Sequence, residues 1–288
     1  MGEPVRIPAR GDGFVLGGEL FLPDGPPSAT VLIAGAMAVR ASYYAALAGY
    51  IASQGAVTLI VDYRGIGASR PPGGLQDFHA SLHDWGVSDL AGAADWLAQR
   101  FPGLPLLWVG HSAGAQLMGL VHPSPVRAAL FVAAGTAWWN AYRGRSRAVM
   151  LALWYAVFPV VLTLKGYLPM RRFRQGEDVP RGVAREWARW GRDRRYVFSY
   201  AEPRGGMAYT TYSGPLLALT IADDSYAPPS ATAHLLSLYP RAQAERQTVS
   251  AQSGPIGHFG FFRQPGLWPA PVRWLLSHGC PPRARHLG

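Results

Sequence analysis

Gly110-His111-Ser112-Ala113-Gly114 places a serine between two glycines, each two residues away. A serine hydroxyl is a poor nucleophile at neutral pH and needs a base, which in turn needs an orienting carboxylate. The spacing has a steric meaning. Small flanking residues let a strand turn sharply into a helix, with the serine strained at the corner and its Oγ lifted above the sheet edge. That turn also puts the N–H of Ala113 at the helix N-terminus, where it can stabilise an oxyanion. The chemistry implied is acyl transfer. The pentapeptide alone is weak evidence, so its partners and its surroundings must decide.

In a strand–turn–helix site of this kind the chain order is serine, acid, histidine. Asp223-Asp224 follows an apolar run and leads into Ser225-Tyr226-Ala227-Pro228-Pro229, and either aspartate could serve as the acid. Eight histidines compete for the base. His79 and His83 precede the serine, and His111 lies inside the turn, where it should point away from Oγ. His122 follows the same helix, His234 falls within a later helix, and His278 and His286 are in the tail. His258, in Gly257-His258-Phe259-Gly260, is downstream of the acid, in a glycine-flanked loop ahead of the last helix. It is the expected base.

The elements that must hold these residues are legible from hydrophobic runs. Phe14 to Leu22 reads as a strand. Thr30 to Ala34, Val57 to Val61, Leu106 to Val109, Ala128 to Ala133 and Leu216 to Ile221 are short apolar runs suited to strands buried on both faces. Tyr43 to Gln54, Asp84 to Arg100, Ala113 to Leu120 and Trp268 to Ser277 read as helices. Strand and helix alternating with short links predicts an α/β fold with a mostly parallel sheet flanked by helices. The serine and the aspartates fall just after such strands, and the histidine ahead of the last helix.

Residues 136–212 break the rhythm and are expected to form a helical lid inserted after the sixth strand, leaving 1–135 and 213–288 as the core. The chain carries +10 overall, with 26 of its 27 basic residues arginine. Between Trp138 and Arg204 there are 13 Arg and Lys165 against five acids, so nearly all the net charge belongs to the insertion. Ala148 to Leu164 is 17 uncharged, mostly apolar residues interrupted by Pro159. It is at the short limit for a membrane span and lies between two strands of one sheet, so the expectation is a buried lid helix or an apolar face over the site, with peripheral membrane contact as a further use of basic flanks. Arg181 to Tyr196 is amphipathic, with Val183, Trp187 and Trp190 opposite Arg181, Arg185, Arg189 and Arg192.

Other function classes find little support. No nucleic-acid motif accompanies the arginines, no His/Cys/Asp cluster has metal-ligand spacing, and no glycine-rich phosphate loop with its lysine occurs. No cofactor and no metal are expected. The single Cys280 gives no disulfide, and the N-terminus lacks an apolar signal region, so a cytoplasmic location is expected.

With Ser112, the aspartate pair and the His258 loop in place, the chain resembles an α/β-hydrolase, nearest the lid-bearing group of monoacylglycerol lipases and serine-aminopeptidase-like proteins. Asp62-Tyr63-Arg64-Gly65-Ile66-Gly67-Ala68-Ser69 is similar to the D-x-R-G-x-G-x-S turn that members carry after the fourth strand, and the likeness spans about residues 14 to 277. The resemblance implies a triad of Ser112, Asp224 and His258, because the family acid commonly precedes a D-x-x-x-P spacing that Asp224 and Pro228 satisfy; Asp223 is the fallback. Many members carry His-Gly after the third strand, and here Ala34-Gly35-Ala36-Met37 stands instead. A backbone N–H from Ala36 or Met37 would then join Ala113 in the oxyanion hole. The expected function is hydrolysis of a small-molecule carboxylic ester or thioester, anionic or lipid-like. A serine peptidase and a non-catalytic protein binding lipid or a partner are the alternatives.

Overall fold

The computed structural model describes residues 2–173, 176–199, 207–251 and 254–279. In chain order its elements are β1 (Glu3–Pro8), β2 (Val15–Phe21), β3 (Ala29–Ala34), α1 (Ala45–Ser53), β4 (Ala56–Val61), α2 (residues 82–100), β5 (Leu106–His111), α3 (Ala113–Leu117), β6 (Val126–Val132), α4 (Gly144–Lys165), β7 (Tyr167–Leu168), β8 (Val179–Pro180), α5 (Arg181–Arg192), β9 (Pro215–Ile221), α6 (Pro229–Ser237), β10 (Gln243–Val249), α7 (Gly257–Gly260) and α8 (Pro269–Gly279). The large sheet runs β1-β2-β4-β3-β5-β6-β9-β10. β1 and β2 are antiparallel to their neighbours and the rest pair in parallel.

Strands β3, β4 and β5 are buried at every position, as parallel strands covered on both faces must be. Alternate side chains supply opposite faces. Leu32 joins Leu97 of α2 and Leu117 of α3 on one side, while Val31 and Ile33 join Ile51 of α1 and Leu275 of α8 on the other. The two edge strands β1 and β10 are additions to the sequence reading. β10 (QAERQTV) exposes nearly every side chain and so carries no apolar run, yet it pairs with β9 from Gln243 to Val249.

The D-x-R-G turn after β4 is pinned from several sides. Asp62 accepts from the N–H of Ala41 (2.7 Å) and of Ala68 (2.8 Å). Asp89 of α2 accepts from the Arg64 N–H (2.9 Å) and Nε (2.7 Å). A Cβ on Gly67 would fall 2.3 Å from the Asp62 carboxylate, so only glycine lets that carboxylate sit beneath the turn.

β6 pairs directly with β9, so the chain leaves the sheet after β6 and returns to the neighbouring position. The excursion contains α4, the β7–β8 hairpin-like pair and α5. Of the two expectations for this helix, a buried lid helix or an apolar face over the site, the first needs correcting. Only Trp154, Phe158 and Leu162, one i, i+4, i+8 stripe, are buried, with Trp154 packing edge-on against Trp187 of α5 (4.9 Å). Val149, Tyr155, Val157, Val160 and Leu164 are exposed, Leu164 by 75%. A single packed neighbour can cover only one stripe of a helix that is apolar all round. By length and composition α4 is long and apolar enough to cross a membrane. In α5, Val183 and Trp190 are buried and Arg181, Arg185, Arg189 and Arg192 exposed; the helix stops at Arg192 because Asp193 turns to extended backbone. Cys280 and His286 lie outside the described residues.

Candidate active site

Ser112 stands between β5 and α3 with φ 50° and ψ −112°, outside the ordinary regions for a non-glycine residue. The flanking glycines explain how the corner closes. A Cβ on Gly110 would meet Ala115 Cα at 2.6 Å, and one on Gly114 would meet the Ala34 carbonyl oxygen at 2.0 Å. The first glycine thus lets α3 fold back over β5, and the second lets α3 press against the end of β3. The Ser112 N–H is held by the Val132 carbonyl (3.2 Å) and its own carbonyl accepts from Ala115 (3.1 Å). Its hydroxyl makes no hydrogen bond among the described residues.

His258 opens the short helix α7, directly after the loop that leaves β10, and is buried. Its Nδ1 lies 2.8 Å from Asp224 Oδ2. The other Asp224 oxygen accepts from the N–H groups of Tyr226 (2.7 Å) and Ala227 (3.1 Å). Asp223 does different work: its two oxygens accept from the N–H groups of Ile256 (3.0 Å) and Gly257 (2.9 Å), splinting the His258 loop to the loop after β9. The imidazole therefore faces Asp224, and Asp223 fixes the backbone that carries the imidazole.

A second histidine joins the strand–turn–helix elbow that carries Ser112 to the His258 loop. His111 is fully buried, its Nε2 3.0 Å from the His258 carbonyl oxygen and its ring 5.0 Å from the His258 ring. Burial, with the neighbouring His258 adding to it, holds the His111 imidazole well below the ordinary histidine value, so it is neutral. A carbonyl can only accept, so Nε2 carries the proton and donates. Nδ1 is then an acceptor, and the Tyr44 hydroxyl donates a hydrogen bond to it at 2.8 Å. The Tyr44 oxygen in turn accepts from the Ala36 N–H at 2.7 Å. One run of hydrogen bonds thus links the loop after β3, the elbow and the His258 backbone. Sequence reasoning placed His111 away from Oγ without giving it a role; its burial beside another histidine was not visible in the pattern.

This run also separates the two candidate donors of the loop after β3. The Ala36 N–H is engaged by Tyr44, whereas neither the Met37 nor the Ala113 N–H donates a hydrogen bond among the described residues. Tyr226 and Phe259 flank His258, their rings 5.1 and 4.9 Å from the imidazole. The segment between β6 and β9 reaches both the loop after β9 and α3: Tyr142 donates to the Tyr226 carbonyl (2.8 Å), and Tyr196 donates to Gln116 Oε1 (2.8 Å). Among the described residues no group of three or more His, Cys, Asp or Glu side chains could hold a metal ion.

The pattern of the serine aminopeptidase, S33 family matches residues 25–187, more than half of the chain. The chain belongs to that family of α/β-hydrolases. Solved structures show the same fold in this α/β-hydrolase at low identity. A soluble variant of monoglyceride lipase from Saccharomyces cerevisiae, in complex with a substrate analogue, superposes with a TM-score of 0.71 at 14% identity, covering 97% of this chain and 96% of the lipase. Monoacylglycerol lipase from Paleococcus ferrophilus gives 0.59 at 16%, covering 91% and 99%. The thioesterase domain from the curacin biosynthetic pathway gives 0.56 at 15%, covering 96% and 99%. No curated protein matches the chain by sequence. At these identities the likeness establishes the α/β-hydrolase fold, in agreement with the family assignment.

Proposed function

We propose that the protein is a serine hydrolase that cleaves a carboxylic ester or thioester through an acyl-enzyme on Ser112. The observation that carries this reading is the 2.8 Å contact between His258 Nδ1 and Asp224, on a loop tied through His111 to the strained serine corner. Asp224 keeps the His258 proton on Nδ1, so Nε2 is the free base. It accepts the Ser112 proton as Oγ attacks the carbonyl, then returns it to the departing alcohol or thiol. Water repeats the sequence on the acyl-enzyme and frees the acid. The N–H groups of Ala113 and Met37 are the oxyanion donors in this reading; Ala36, engaged with Tyr44, contributes by fixing the loop.

Residues 136–212 act as the lid. Their +9 charge repels the substrate ammonium that an aminopeptidase must hold and favours a neutral or anionic ligand. The exposed apolar face of α4, flanked by Arg143, Arg145, Arg147 and Lys165, suits an acyl chain or peripheral contact with an anionic lipid surface. A cytoplasmic site of action fits a chain with one cysteine.

A substrate panel tests the reading. Purified protein is given p-nitrophenyl acetate, butyrate and laurate, acyl thioesters of N-acetylcysteamine, and aminoacyl p-nitroanilides. Turnover of esters or thioesters, abolished by Ser112→Ala, is expected. Preferential cleavage of the anilides would establish a peptidase instead, and folded protein inert to all three would establish a binding protein.

A further inference from the structure

We infer that Glu177, on the insertion, is a positioning residue for the oxyanion loop, so that the Met37 N–H is aligned only while residues 176–178 of the lid are seated on it. The inference rests on the serine-hydrolase reading above and concerns how that site is held.

The loop after β3 has three anchors in the core. The Gly35 carbonyl accepts from the Tyr63 hydroxyl (2.8 Å), the Ala36 N–H donates to Tyr44 (2.7 Å), and the Ala41 N–H donates to Asp62 (2.7 Å). Between Ala36 and Ala41 the loop turns on itself, the Val39 N–H donating to the Ala36 carbonyl (3.3 Å), and Ala38 is buried in the core; the contacts to the Ala38 carbonyl and the Arg40 side chain come from the insertion. The Ala38 carbonyl accepts from the Glu177 N–H at 2.7 Å, and the Arg40 guanidinium lies 2.6 Å from Glu177 Oε1. Met37, whose side chain packs against the core, thus lies between the Ala36 anchor on one side and the Glu177 contacts at Ala38 and Arg40 on the other. Ala38 has φ 62°, a left-handed conformation that an alanine keeps only when its surroundings hold it there.

The contact is built on both partners. A Cβ on Gly176 would stand 2.3 Å from the Ala38 oxygen, so glycine is what lets the two backbones approach. Glu177 is itself fixed, its second oxygen taken by the Arg171 guanidinium, while Asp178 accepts from the Arg171 N–H (3.0 Å) and pairs with Arg70 (3.4 Å) of the turn after β4. The Glu177 carboxylate is buried, whereas the Arg40 side chain is half exposed. One glutamate, with its own N–H, thus couples the seating of the lid to the geometry of an oxyanion donor.

Three variants test this: Glu177→Gln removes the charge, Gly176→Ala lifts the backbone contact, and Arg40→Gln breaks the pair from its exposed side, where folding is least at risk. Steady-state kinetics on the best ester from the panel are combined with inhibition by a boronic acid, which mimics the tetrahedral intermediate. Losing one oxyanion donor typically lowers the rate by about 10²–10³, and a loosened donor should lose part of that. The expectation is a fall in kcat of about ten- to a hundredfold with KM within about threefold, and boronate affinity weakened by the same factor as kcat. Glu177→Gln with Arg40→Gln should cost no more than the larger single change, since both cut one coupling. Variants whose kcat stays within threefold of the parent, whose loss appears in KM alone, or whose effects multiply would overturn the inference. If the parent protein itself turns over no ester, it is the hydrolase reading that fails, and the variants are then irrelevant to it.

Discussion

Replacing Asp224 by Asn is the most informative single change, because the surrounding donors dictate how the amide must sit. Asp224 Oδ1 accepts from two backbone N–H groups, those of Tyr226 and Ala227. In the variant only the amide oxygen can occupy that position, since an NH₂ there would face two donors. The NH₂ is thereby turned toward His258 Nδ1, 2.8 Å away in the parent. Nδ1 must then accept, the imidazole proton moves to Nε2, and Nε2, the base in the proposed mechanism, can no longer accept the serine proton. Fold and volume are unchanged, so the loss should be catalytic alone. A wrong-tautomer histidine of this kind lowers kcat by about 10⁴, which is about 5.4 kcal/mol of barrier at 1.36 kcal/mol per tenfold. The assay is p-nitrophenyl butyrate hydrolysis with a thermal melt of the same sample. Asp223→Asn, which faces only the Ile256 and Gly257 N–H groups, should lose far less. An Asp224→Asn protein within tenfold of the parent, or an Asp223→Asn protein with the larger loss, would refute the assignment of the two carboxylates.

Other expectations follow from the packing. Gly114→Ala forces a Cβ to within 2.0 Å of the Ala34 carbonyl, so denaturant titration should show about 1–3 kcal/mol of destabilisation together with a fall in kcat as α3 and the Ala113 N–H are pushed off the end of β3. Trp154→Ala empties the buried contact between α4 and α5 and should lower unfolding free energy by about 3–5 kcal/mol. Serine at Val157, Val160 and Leu164 together should weaken sedimentation with phosphatidylglycerol vesicles while leaving stability within about 0.5 kcal/mol per site; equal binding by the variant, or none by the parent, would count against lipid contact through α4. Burial raises the Glu177 carboxyl, but hydrogen bonds and charge from Arg171 and Arg40 outweigh it and hold it below its usual 4.5. Its stabilisation is therefore present above pH 4.5 and lost as pH falls through the lower folded value, so Glu177→Gln should flatten the acid limb of a melting-temperature profile below pH 4.5.

The central strands were legible because burial on both faces leaves continuous apolar runs: Thr30–Ala34, Val57–Val61 and Leu106–Val109 fall within the observed β3, β4 and β5. The elements that carry the serine, aspartates and histidine could be read for the same reason, since each follows such a run or precedes the last helix. What escaped was local to edges and to contacts across the chain. β10, which leads to the His258 loop, has the composition of a polar loop because an edge strand has no second neighbour to cover it. From composition the helix α4 could be a buried element or an apolar face over the site, and only the fold shows that it is covered on one stripe. Asp223 and Asp224 are adjacent and chemically identical, and their different partners depend on how two distant loops meet. The path from Ala36 through Tyr44 and His111 to His258 joins residues up to 147 positions apart in a single bond, which no local spacing encodes.

Mass spectrometry of the intact protein after reaction with a fluorophosphonate tests the central claim most directly. A single covalent adduct is expected, mapped by peptide analysis to Ser112 and absent from Ser112→Ala, with labelling strongly slowed in His258→Ala. An adduct on another residue, or unchanged labelling once Ser112 is replaced, would contradict the account.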